Sequence, residues 1–74
     1  MLVVNAPLLT DKVKSVLDGY DKNGVALGFR RQTGMRLEFD INGADGYDAV
    51  SIVKHIVRSY DWGNALYFSV SMEK

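Results

Sequence analysis

The sequence predicts an α+β domain, and three observations predict it. Two stretches repeat apolar residues every three to four positions, three stretches alternate apolar with small or polar residues, and turn-forming clusters of Gly, Asn and Asp separate them. A period near 3.6 buries one stripe of a helix, whereas a period of 2 buries one face of a strand.

The elements follow in order. Met1-Leu2-Val3-Val4-Asn5 is a short apolar run, at most a brief strand, ended by Asn5-Ala6-Pro7. Leu9, Val13, Val16, Leu17 and Tyr20 then form the stripe of an amphipathic helix, with Thr10 as the expected N-cap and Asp11 in the first turn, where negative charge suits the helix dipole. Gly19 and Asp21-Lys22-Asn23-Gly24 end it. Two alternating runs, residues 25 to 31 and 35 to 41, predict a hairpin. Keeping apolar residues opposite apolar ones calls for an odd loop of Gln32, Thr33 and Gly34, with Gly34 left-handed. Phe29 then faces Leu37, Leu27 faces Phe39 and Val25 faces Ile41.

After the Asn42–Gly46 turn, Ala49, Ile52, Val53, Ile56, Val57 and Tyr60 give the clearest helical stripe in the chain, capped by Asp45 and stopped at Gly63. Leu66, Phe68, Val70 and Met72 alternate with Ala65, Tyr67, Ser69 and Ser71, which predicts a last half-buried strand. The order (β)αββαβ fits a ferredoxin-like sandwich. Its antiparallel sheet would carry two helices on one face, with the first strand very short or absent.

Composition narrows the possible functions. The 74 residues make one domain, 1–74, since a chain of this size buries only about 60% of its unfolded surface and cannot support two cores. Nine Lys and Arg balance nine Asp and Glu, so the whole molecule lacks the positive field that draws proteins to nucleic acid or to anionic membranes. There is no cysteine, which removes disulfides, thiolate metal sites and thiol nucleophiles and suits a cytoplasmic protein. No cationic leader or long apolar run is present, so no membrane association is expected.

No constellation calls for catalysis, a metal or a cofactor. Asp48, Ser51 and His55 share a helix face, but nothing there supplies oxyanion donors or excludes water, and His55 is expected to be exposed. Asp40 to Asp45 resembles the start of a calcium loop yet has Ser51 where the acidic twelfth ligand belongs. The sharpest feature is arginine. In the hairpin register above, Arg30 lies opposite Arg36 with Arg31 beside them, a like-charge pair that an anionic partner would relieve and that Glu38, on the diagonal, would also soften. Tyr67, on the outer sheet face, and Trp62, in the Asp61-Trp62-Gly63 turn, complete the candidate binding residues.

The expected function is therefore that of a small non-catalytic protein-interaction or accessory module binding a protein partner or itself. A homodimer through the last strand or the Tyr67 face is expected, because the short first strand leaves the sheet under-covered. A nucleic-acid-binding module using the outer face and the hairpin arginines is the alternative. It is disfavoured because sheet platforms for RNA need several aromatics and a basic surround. A small enzyme with an unrecognised site comes third.

Overall fold

A computed structural model describes residues 1–73 as an α+β domain built on one antiparallel sheet. In chain order the elements are β1 (Leu2–Asn5), α1 (Thr10–Leu17), β2 (Asp21–Lys22), β3 (Val25–Thr33), β4 (Arg36–Asn42), α2 (Gly46–Arg58), α3 (Asp61–Asn64) and β5 (Ser69–Met72). The strands lie side by side as β2-β3-β4-β1-β5. The first strand is thus present and internal, between β4 and β5, and Leu2, Val3 and Val4 are all buried.

Both long helices cover the same sheet face. Val13 and Leu17 of α1 and Ala49, Val53, Ile56 and Val57 of α2 share one core with Leu2 and Val4 of β1, Leu27 of β3, Leu37 and Phe39 of β4 and Val70 of β5. Phe39 is fully buried at the centre, with Phe29 edge-on to its ring at a centroid distance of 5.7 Å. Truncating such a side chain costs about 3–5 kcal/mol. Among the described residues the opposite face carries no helix.

The hairpin register differs from the sequence expectation. Phe29 faces Phe39 and Leu27 faces Ile41, not Leu37 and Phe39 respectively. The loop is not three residues but two, Gly34 and Met35, and Gly34 does take positive φ (60°), as the first central residue of a primed hairpin turn. Continued unbroken, the pairing of Thr33 with Arg36 would put Phe29 opposite Asp40. A β-bulge between Phe29 and Arg31 inserts one extra residue and returns Phe29 to the core side. Arg31 therefore faces Glu38, and the expected opposition of Arg30 and Arg36 does not occur.

The local differences have physical causes too. Leu9, not Thr10, is the N-cap of α1, in the left-handed region (φ 56°, ψ 35°), while the Thr10 hydroxyl donates to the Ala6 carbonyl. Asp45 does cap α2 by position, without a side-chain hydrogen bond. That helix stops at Arg58, where the Ser59 hydroxyl donates to the Ile56 carbonyl at 2.6 Å, and the chain re-forms as the short α3 before Gly63 is used up. β5 starts at Ser69, four residues later than the alternation suggested.

Candidate functional site

The face without helices is built around a buried carboxylate. Glu38 lies in the middle of β4 and is only 4% exposed. From β3, Arg31 grips it with a two-pronged fork, Nε to Oε2 at 3.3 Å and Nη2 to Oε1 at 3.1 Å. From β4 itself, Arg36 Nε donates to Oε2 at 3.4 Å, and its Nη2 reaches Glu73. Arg30, the extra residue of the bulge, turns instead to Asp40 at 3.3 Å.

These contacts explain another oddity. Val3 sits on the helix-free face, with Glu38 and Ser71 as its cross-strand neighbours, yet it is 1% exposed. Arg36 starts level with Asn5, bonds Glu38 beside Val3 and meets Glu73 beyond Met72, the partner of Leu2, so its side chain reaches across β1 at about the level of Val3. An arginine network here does the covering that a helix does on the other side.

The charges respond accordingly. Hydrogen bonding from Arg31 holds the Glu38 carboxyl below the usual carboxylate range, against burial that pushes it up. Arg36 holds its proton more tightly than an ordinary guanidinium, chiefly through Glu73, with burial opposing. The anion that the paired arginines were expected to need is thus largely supplied from within the chain. A concavity of about 340 Å³ lies over this network, lined by Met1, Arg30, Arg31 and Glu38.

The aromatic candidates lie elsewhere, at one end of the molecule. Pairing of Asn5 with both Arg36 and Ser69 puts the end of β1, the start of β4 and the start of β5 together. The β1–α1 connection, the Gly34-Met35 turn, whose Met35 carbonyl accepts from Ala6 N at 3.0 Å, and α3 close that end. Five of the seven large apolar side chains exposed among the described residues belong to the segments at that end: Leu8, Leu9, Met35, Tyr60 and Tyr67. Trp62 joins them half-buried, stacked on Tyr60 at 5.4 Å with Lys12 Nζ 5.8 Å from its ring centre. Arg36, Trp62 and Tyr67 therefore share this end, while Arg30 and Arg31 lie further up the helix-free face.

Sequence reasoning singled out Tyr67 and Trp62 but missed Leu8, Leu9 and Met35. Leu9 had been assigned to the helical stripe and Met35 to the alternating strand, and both instead sit in connections. Two adjacent leucines after a proline were the available signal. His55 is exposed as expected, and neither it nor Ser51 nor Asp48 hydrogen-bonds another of the three. Among the described residues, no helix is long and apolar enough to cross a membrane. Comparison with protein-family models, curated proteins and solved structures finds no match to this chain.

Proposed function

We propose that the protein is a small non-catalytic binding module that docks its apolar end onto an apolar surface of a protein partner. The observation that carries this reading is the gathering of Leu8, Leu9, Met35, Tyr60 and Tyr67 at one end, with Trp62 among them. Single exposed apolar side chains are ordinary on a protein surface, but a group of them at one place marks a contact. Lys12 and Arg58 stand beside Asp11 and Asp61 at this end, and Arg30, Arg31 and Arg36 are paired with Asp40, Glu38 and Glu73, so apolar contact rather than net charge carries the reading.

Leu9 strengthens the case. A bulky side chain in the left-handed region costs about 1–2 kcal/mol, and such strain concentrates at binding and switch positions. Here the strained leucine is also 44% exposed and lies outside the apolar core cluster. We read the scaffold as ferredoxin-like: apart from the two-residue β2, the strands run β3-β4-β1-β5, and each long helix links strands separated by one other.

The test is comparative co-purification from the native host. The tagged wild type and Tyr47→Ser, altered at the opposite end, should retain the same partner, whereas Leu8→Ser/Met35→Ser should lose it. An identical set of retained proteins for all three would overturn the proposal. Single-stranded RNA should show no salt-sensitive binding to the wild type; saturable binding lost on raising salt would favour the nucleic-acid reading instead.

A further inference from the structure

The two edges of the sheet are finished very differently. On the β3 side every stretch is guarded. β2 pairs with Val25 and Ala26, Gly19 N donates to the Leu27 carbonyl at 3.1 Å, Leu27 N to the Tyr20 carbonyl at 2.8 Å, and Phe29 N to Asp18 Oδ1 at 3.3 Å. The bulge at Arg30 and the charges of Arg30 and Arg31 follow. Short covers, bulges and charges are the devices that keep an edge from pairing with another chain.

On the other side β5, itself only four residues long, has no cover, bulge or charge among the described residues. From Ala65 to Met72 the chain holds no charged residue, no proline and no glycine, and β5 carries no bulge. Its free hydrogen-bonding groups can be assigned. Met1 and Glu73 exchange both main-chain bonds, each at 2.8 Å, so by antiparallel alternation Ser71 and Ser69 also turn their N–H and C=O toward β1. Val70 and Met72 consequently present theirs to the open edge.

We infer that β5 pairs with β5 of a second copy of this chain, antiparallel about a two-fold axis at Val70, making one continuous sheet across a homodimer. The occupant follows from self-complementarity. Like faces meet only if paired residue numbers sum to an even value. With the axis at Val70, each Val70 exchanges two main-chain bonds with its counterpart, Met72 meets Phe68 on the helix side, and Ser69 meets Ser71 on the outer side. Hydroxyl pairs across strands are favourable, thioether–aromatic contacts add to them, and an uncharged edge brings no like charges together. This contact uses the side of the sheet, touches the apolar end only at Tyr67, which the same register sets beside Glu73 of the other copy, and does not depend on the proposed role of that end.

Because the chain has no cysteine, disulfide capture reads the register directly. A mixture of Ser69→Cys and Ser71→Cys proteins should form a mixed dimer under mild oxidation, since facing residues of this kind approach within disulfide range. Each protein alone should cross-link at least about tenfold less. Efficient cross-linking of Ser71→Cys with itself would overturn the assigned axis. In sedimentation, Ser69→Lys/Ser71→Lys, which sets like charges opposite each other, should weaken the dimer by about tenfold or more, while Ser69→Lys/Ser71→Glu should retain or strengthen it. A wild type that sediments as a monomer at high micromolar concentration, or a double-lysine variant that dimerises as well as wild type, would overturn the proposal.

Discussion

The two ends of this domain are closed by opposite means. At one end, the turns holding Gly24 and Gly43 touch backbone to backbone, and the exposed side chains in and beside them include Asp21, Asp45 and Asp48 together with Lys22, Asn23 and Tyr47. At the other, the connections expose leucine, methionine and tyrosine, and one leucine is held in a strained conformation. The acidic end spends its residue types on making turns fit and keeping them hydrated. The apolar end leaves large apolar side chains in water and one leucine in the left-handed region, which is what the proposed docking role would use.

The largest expected effect tests the acidic end. A Cβ at Gly43 would overlap the Gly24 carbonyl oxygen, and φ there is +94°, so Gly43→Ala should cost about 3 kcal/mol in denaturant unfolding. A loss below about 1 kcal/mol would show that the two turns can separate freely and would erase the contrast in tightness.

Between the ends, Glu38 anchors the arginines and supplies a pH signature. Its folded carboxyl is held below the ordinary range by Arg31, so its contribution to stability is complete above the unfolded carboxylate pKa of about 4.3 and is lost as pH falls through the lower folded value. Glu38→Gln should therefore lower the melting temperature at neutral pH and narrow its gap from wild type in strong acid. A gap that does not change with pH would mean the carboxylate's charge is irrelevant to the network.

At the apolar end the expected signs reverse. Leu9→Gly should raise stability by about 1 kcal/mol by relieving the left-handed leucine, while weakening partner binding. Destabilisation would show that the Leu9 side chain supports the fold, and the strain would then need no functional explanation. Smallest of all, Leu8→Ser and Met35→Ser should each change unfolding free energy by less than about 0.5 kcal/mol, as suits side chains 65% and 52% exposed.

Much of the architecture was legible because periodicity is a local consequence of burial. The α2 stripe of Ala49, Val53, Ile56 and Val57 and the inward set Leu27, Phe29, Leu37 and Phe39 lie where alternation or helical spacing puts them. Register was not legible, and the reason is arithmetic. An odd loop without a bulge and a two-residue turn with one bulge preserve the same parity, so the pattern of apolar residues is satisfied by both. The candidate site inherited that ambiguity: the first solution opposes Arg30 to Arg36, and the second sets Arg31 on Glu38.

The sequence by itself therefore determined the class of the domain, the helical stripes and the inward faces of the hairpin, because each depends on residues a few positions apart. Only the tertiary structure decided which arginine meets which carboxylate, why Val3 is buried on a face without helices, and which edge of the sheet stays open. Each of these depends on residues distant in the chain. Glu73 reaches Arg36 across β1, and β5 is an edge because no other strand of this chain lies beyond it among the described residues. Local spacing carries no information about such meetings; the packing of the whole chain creates them.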